Sequence, residues 1–425
     1  MGILVNLNKF EIHNPYQNRL EDFVHAETMQ KLIRNIGTVY GTIRESYVRI
    51  QDDAPETWTE STLHLVGVRS WSSHKKHPQP SEDEARELLL LLPPPTAAIS
   101  LPTYSFVFFN MIFASTLVTT PAIPGHEAPF SSFLSATSYL GHNAYRSRRC
   151  LHYALLNLLI IQILVEDPVT VKHLCSTDLK LNVRLCRQRP PQLPNVGAAR
   201  ISAVVILDIC IDVLTHNLRK RLDVSLYGLA LGIMLRKIVH LSSSKARVPY
   251  HWTTAWVALL SVMRFLTQYD ADLRNTVKIR EEVCMPLASL LAFCLLRADN
   301  FLPDPKSYDD LFYKVIEANP VLTKFKDTYC QMVDTAETKK LKRAAEALTS
   351  VSSHYTDLLQ TGGKKHQSPL AVEQIIKKGH ETLDMGVSSV DEFGQFEPWK
   401  ESNWKPEIKQ IIRTVVEDAR KLSER

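Results

Sequence analysis

The sequence predicts an all-α chain, and three observations carry that expectation. Glycine is scarce, 14 of 425 residues, while leucine, isoleucine and alanine are abundant. Strand-like alternation bounded by Asn-Gly or Asp-Gly turns is missing. From about Cys150 onward, apolar residues return every three or four positions, as the buried face of a helix requires. With 45% hydrophobic residues the chain is long enough to bury a sizeable core.

The elements can be placed by their punctuation. Residues 1–50 read as an N-terminal helical segment continuous with the repeat domain, and 51–80, rich in Thr, Ser, His and Pro, as a flexible loop. Ser81 and Glu84 form a capping-box signature ahead of Ala85, Leu88, Leu89 and Leu92, and Pro93, Pro94 and Pro95 stop that helix. Further helices are expected over 151–165, 169–175, 199–220, 224–240, 250–268, 277–297, 307–318, 337–359 and 404–422. Helix pairs at roughly 40 to 50 residues match the period of armadillo and HEAT repeats, so 81–360 is expected to be an α-solenoid. Residues 361–403 read as a linker and 404–425 as an amphipathic helix, whose mixed-sign polar face favours capping the last repeat over lying on a membrane.

One interruption stands out. "HNLRKRLDV", His216 to Val224, separates two very apolar segments. Leu207, Ile211, Leu214, Leu218 and Leu222 share a helical face, and a single helix through both segments would be too long for a solenoid layer. A turn is therefore expected around Leu222 to Ser225, with Asp223 or Ser225 as the next N-cap. Arg219, Lys220 and Arg221 would then close the preceding helix and complement its negative end by ~0.3 to 1 kcal/mol each. Two readings stay open: a structural corner alone, or a corner that also meets a phosphate or an acidic partner.

Composition and motifs narrow the function. The net charge of +5 gives no general reason to expect nucleic acid. The seven cysteines are widely spaced and include no Cys-x-x-Cys, which argues against a zinc ribbon and suits buried thiols in a reducing compartment. The first thirty residues do not form a signal peptide, and Leu151 to Val165 falls short of the ~20 apolar residues of a membrane span. A cytosolic chain without a transmembrane segment is expected. "TGGKK", Thr361 to Lys365, lacks phosphate-loop spacing and follows a helix. Cys150 with His152, and His173 with Cys175, lack a second pair at finger spacing and read as buried thiols beside solvated histidines. No catalytic constellation, metal site or cofactor motif emerges, so the expectation is a protein that is not an enzyme.

Two aromatic stretches say more. In "VPYHWTTAWVALLSVMRFL", Trp252, Trp256, Leu259, Leu260, Met263 and Leu266 keep helical spacing, and Tyr250, His251 and Trp252 offer either core packing or an interface anchor. In "DNFLPDPKSYDDLFYKVIEANP", Ser307 is the expected N-cap, and Phe301 and Leu302 are expected to pin the loop to the previous helix.

"THNLRKRLDV", "YHWTTAWVALLSVMRFL", "DNFLPDPKSYDDLFYKVI" and "LNVRLCRQRPPQLP", in a chain that also carries "NPYQNRLEDFV", resemble the C-terminal region of the armadillo-like helical domain-containing protein 3 family. The resemblance runs from about Asn14 to at least Ile316, more faintly beyond, and implies a non-catalytic armadillo-like scaffold, cytosolic and associated with the Golgi. It implies as partners a large Arf guanine-nucleotide exchange factor and phosphatidylinositol 4-kinase beta, with a role in Golgi maintenance and secretion. Members of the family are usually longer at the N-terminus, so this chain is read as a C-terminal piece or a shortened one. The expected contact residues are Arg219, Lys220 and Arg221, with Tyr250, His251 and Trp252 as a second patch. The alternative is a peripheral membrane protein that binds anionic lipid through the basic corner and the terminal helix.

Overall fold

The computed structural model describes residues 15–54, 80–219, 222–273, 277–331, 335–361 and 391–424. They are mostly helical. The small exceptions are a two-residue antiparallel ladder, Lys180 opposite Ile201 and Leu181 opposite Arg200, and an isolated bridge between Ile123 and His126. The loop expected over 51–80 lies mainly outside the described residues, as do "GGKK" and most of the segment expected as a linker. The chain divides into two compact units: Met1–Ile160, Ser176–Val205 and Glu401–Arg425 form the first, and Ile161–Cys175 with Ile206–Lys400 the second.

In the first unit the helix Ala26–Val48 turns Met29, Ile33, Ile36, Tyr40, Ile43 and Tyr47 to one face, the spacing of an amphipathic helix. That face packs on Pro129–His142, a helix buried at every position. A Cβ at Gly37 would stand 2.6 Å from the Pro129 Cα, so the close approach of the two helices requires glycine there. The loop holding "LNVRLCRQRPPQLP" is clasped onto the same core. Arg184 donates to Asp52 and Asp53 at 2.8 Å each, Tyr139 donates to Asp53 at 2.7 Å, and the Arg187 amide donates to the other Asp53 oxygen at 2.6 Å. Arg189 donates to the His142 carbonyl and stacks over the Tyr145 ring.

The capping box at Ser81 forms: the Ser81 amide donates to Glu84 at 2.9 Å and the Glu84 amide to the Ser81 hydroxyl at 3.4 Å. Its helix runs Glu82–Leu91 and ends before the prolines. The apolar face differs from expectation, because only Leu89 is buried while Leu88, Leu90 and Leu91 are exposed, Leu91 at 71%. Helical spacing places residues on one side without saying what covers that side. Further on, Asn110 caps Met111–Thr119 by accepting from the Phe113 amide, and its amide group donates to the Leu20 and Phe23 carbonyls. Val24, next to the clamped Phe23, and Met111 and Ile112, which follow Asn110, are all exposed.

The terminal helix Lys405–Ser423 seats Ile408, Ile411 and Val415 in the first unit. Its Asp418, 1% exposed, accepts from Arg149 Nε at 2.7 Å and from the Tyr153 hydroxyl at 2.8 Å. Thr414 meets His152 Nδ1 at 2.7 Å. His152 is therefore a buried histidine under this helix and not the solvated one that its sequence context suggested. Burial and the neighbouring Arg148 push its pKa down.

In the second unit Val224–Ser243 packs on Met285–Phe301, and Ala336–Thr361 lies against Met285–Phe301, Pro305–Glu317 and Asn319–Tyr329. The segment expected as one helix from 277 to 297 is interrupted by a π-helical stretch, Arg280–Cys284. There the Glu282 carbonyl faces Gly228, where a Cβ would stand 2.9 Å away. The N-cap of Pro305–Glu317 is Asp304, which accepts from the Ser307 amide at 2.8 Å. Ser307 thus donates to the cap where it was expected to be the cap, because Pro305 fits the first helical turn and moves the start forward. Phe301 and Leu302 are buried as expected, and the Val248 amide donates to the Phe301 carbonyl.

Residues 391–400 lie across this unit as a strap. Phe393 is buried; Arg236 donates to Glu166 at 2.6 Å and to the Glu397 carbonyl at 2.7 Å, with its guanidinium over the Phe396 ring. The Trp399 amide donates to the other Glu166 oxygen at 2.8 Å. Two helices, Arg148–Glu166 and Val224–Ser243, are long and apolar enough to cross a membrane by length and composition. The first is 19 residues where periodicity suggested fifteen, so the expectation that it is too short to span does not hold on length alone. In each, 78% of the apolar window is buried within the protein.

Candidate functional site

The two sequence-derived patches both lie on the second unit. At the first, the helix Ser202–His216 ends four residues earlier than expected. The reason is local: the Asn217 side chain donates to the Val213 carbonyl at 2.9 Å, taking up an acceptor that a further turn would have used. Asp223 caps the next helix by accepting from the Leu226 amide at 2.8 Å, as one of the two expected caps. Tyr227, one turn into that helix, donates back to the Leu214 carbonyl at 2.9 Å and locks the corner. Arg219 is exposed and lies beyond the helix end, so the expected interaction with the last helical turn belongs to His216, paired with Asp212 at 3.4 Å. Lys220 and Arg221 fall outside the described residues.

The second patch is built around a buried carboxylate that sequence reading did not single out. Asp208 is 0% exposed on the helix Ser202–His216, where it sits inside an apolar run. Tyr250 donates to its Oδ1 at 2.8 Å, and His251 Nε2 lies 2.8 Å from the same oxygen without hydrogen-bond alignment. The Tyr250 and His251 rings lie tilted by 36° with centroids 4.1 Å apart, and Tyr250 meets Trp252 edge to face at 5.1 Å.

Trp252 is 2% exposed. It donates to the Val248 carbonyl at 3.2 Å, stacks on Trp256 and meets the edge of Phe301. Of the two readings for this residue, its burial supports core packing, and an exposed anchor at Trp252 is not what the structure presents. Tyr250 and His251 are half-buried with their polar atoms turned inward to Asp208. The cluster joins two helices through one carboxylate. An aspartate–histidine pair can draw a proton from a nucleophile when the other ring nitrogen faces one. Here the His251 ring lies against the Tyr250 ring and turns Nε2 to the carboxylate.

This clustering is in the part of the chain matched by a known family. The model of the C-terminal domain of armadillo-like helical domain-containing protein 3 matches residues 200–421. The chain belongs to this family. Both patches, the corner and the Asp208 cluster, lie within the family domain, as do the strap and all but the last two residues of the terminal helix. A Schizosaccharomyces pombe protein named UPF0588 membrane protein is 26% identical over 429 residues, covering 100% of this chain and 67% of the relative. Armadillo-like helical domain-containing protein 3 from Homo sapiens is 20% identical over 474 residues, covering 99% of this chain and 66% of the relative. The Danio rerio protein of the same name is 23% identical over 307 residues, 68% of this chain and 44% of the relative. The chain thus spans about two thirds of the human and fission-yeast relatives and less than half of the zebrafish one. No solved structure matches it.

Proposed function

We propose that this chain is a non-catalytic helical scaffold, stacked as an armadillo-like solenoid and peripherally associated with Golgi membranes. In this reading it supports recruitment of an Arf guanine-nucleotide exchange factor and phosphatidylinositol 4-kinase beta, and through them Golgi maintenance and secretion. Family membership is the observation that carries the reading. The use made of ionisable groups also supports it: Asp208, Asp418 and Glu166 each bind together helices or a strap within one unit. The exposed Arg219 corner is the surface proposed to meet acidic partners. Affinity purification with the full chain as bait, wild type against R219E/K220E/R221E, tests it. Loss of either partner with unchanged helicity is expected; equal recovery would make the corner purely structural.

A second reading, direct contact with lipid, is favoured by the exposed Val24, Met111 and Ile112 and by the fission-yeast relative, which is named a membrane protein. The terminal helix does not serve this reading, because Ile408, Ile411 and Val415 are buried within the first unit. Flotation of the purified chain with anionic liposomes would support lipid contact if M111E/I112E abolished it. A chain that stays at the bottom of the gradient with lipid as its only partner would favour the scaffold.

A further inference from the structure

Lys237 is 0% exposed, on a helix whose buried positions are mostly apolar, and its Nζ lies 3.3 Å from Cys175 Sγ. An ammonium in that position loses its water and gains only a weak sulfur acceptor in return. Burial accordingly draws the amine's pKa down, with Cys175 opposing, and His240, itself pushed down by burial and by Lys237 and Lys172, adds no negative charge nearby. The nitrogen stands within reach of the sulfur, and burial favours its neutral form, the one with a free lone pair. The sulfur is the accessible half of the pair. Cys175 is half-buried at the end of Pro168–Cys175, whereas the other six cysteines are buried. Burial raises the thiol pKa of Cys150, Cys210, Cys284, Cys294 and Cys330, which keeps those thiols inert to oxidants.

We propose that Cys175 and Lys237 are a modification site at which peroxide forms a reversible sulfenamide cross-link between the helices Pro168–Cys175 and Val224–Ser243. In the first step the Cys175 sulfur attacks one peroxide oxygen; the O–O bond breaks, sulfur is oxidised by two electrons to sulfenic acid, and the peroxide leaves as water. In the second, the Lys237 lone pair attacks that sulfur and the S–N bond forms as the S–O bond breaks. The leaving hydroxide takes one proton from the nitrogen and departs as water, with no further change in oxidation. Two equivalents of an external thiol reverse the link, returning thiol and amine and leaving the external thiol as its disulfide. Six buried thiols and one accessible thiol against a buried amine make the reaction selective for this pair.

The test is peptide mass spectrometry on the full chain after hydrogen peroxide and again after dithiothreitol. The expected result is a cross-linked peptide joining residues 175 and 237, lighter by about 2 Da than the sum of its reduced parts, with trypsin no longer cutting after Lys237 and both changes undone by thiol. A dimedone probe should label Cys175 weakly in wild type and strongly in Lys237→Met, where the sulfenic acid has no amine to meet. Oxidation of Cys175 to sulfinic acid with Lys237 still cleaved by trypsin would overturn the proposal. So would preferential oxidation of any of the six buried cysteines. Both readouts on the wild-type chain stand even if the methionine variant folds poorly.

Discussion

Asp418→Ala should loosen the terminal helix without undocking it, and the size of the effect can be worked from its contacts. The carboxylate is almost fully buried and takes hydrogen bonds from Arg149 at 2.7 Å and Tyr153 at 2.8 Å, with Lys421 Nζ at 3.3 Å. Hydrogen bonds to a charged group contribute about 1.5 to 3 kcal/mol each. The Arg149 side chain is 25% exposed and regains water on losing its partner, whereas the Tyr153 hydroxyl is buried and left unmatched. A net loss of about 3 kcal/mol follows, the lower end for one broken partner of a buried pair. Against this, Ile408, Ile411 and Val415 anchor the helix by roughly 1.5 to 3 kcal/mol each. The mutation should therefore leave the helix docked but raise its opening by about a hundredfold. Hydrogen exchange across residues 405–423 reads this directly, and Asp418→Asn, which keeps an acceptor for Tyr153, should fall between. Unchanged exchange in Asp418→Ala would refute the reasoning, because it would mean that the carboxylate behaves like an exposed surface pair.

Three further outcomes are expected, on pH dependence, helix packing and the strap. Glu401, pushed up to about 7 by burial, binds its proton more tightly in the fold than in the unfolded chain; its contribution is present below pH 4.5 and is lost as pH rises to about 7. Glu401→Gln should therefore stabilise the chain by roughly 1 kcal/mol above neutral pH, discounted for its partial exposure, and by nothing at pH 4, as read from urea midpoints. His152 has the opposite sign, because its folded pKa is lowered: stability falls as pH drops below 6.5, a slope shared with His240, and in the Glu401→Gln background His152→Asn should make that slope shallower. Gly228→Ala should cost about 1 to 3 kcal/mol, since the new Cβ meets the Glu282 carbonyl at 2.9 Å; an unchanged melting temperature would show that the π-helical stretch yields freely. Arg236→Met should expose residues 391–400 to limited proteolysis, because it removes the bonds to Glu166 and the Glu397 carbonyl together with the contact on Phe396.

The helical class was legible because it needs only local signals. Ser81 with Glu84, Asp223 before the second apolar run and the absence of turn pairs are readable from neighbouring letters, and each forms as expected. Helix ends were less legible where a side chain decided them. Asn217 stops its helix by bonding back to Val213, Asp304 displaces Ser307 as a cap, and the π-helical stretch at Arg280–Cys284 answers a close approach from Gly228. The aromatic patch was half legible. Spacing placed Trp252 on the apolar face with Trp256, but nothing near Tyr250 in sequence points to Asp208, forty-two positions away. The signal that could have found it is Asp208 itself, a carboxylate in the run "ISAVVILDICIDVL", where an unpaired charge would be costly and a partner must be sought elsewhere.

That cost explains why the polar interior is arranged as it is. An apolar helix interface tolerates sliding by a turn, since leucine on leucine is nearly as good one ridge along. A buried carboxylate does not: a shift of one turn, 5.4 Å, would carry Asp208 away from Tyr250 and cost it that hydrogen bond in the interior. Asp418 on the buried face of the terminal helix and Glu166 under the strap set registers in the same way within their own units. If this is their role, replacing Asp208 and Tyr250 together by Leu and Phe should cost little stability while broadening the exchange protection of 250–268, and replacing Asp208 alone by Leu should cost more. A double variant as well ordered as wild type would show that the aromatic stack of Tyr250, Trp252 and Trp256 already fixes the register without the carboxylate.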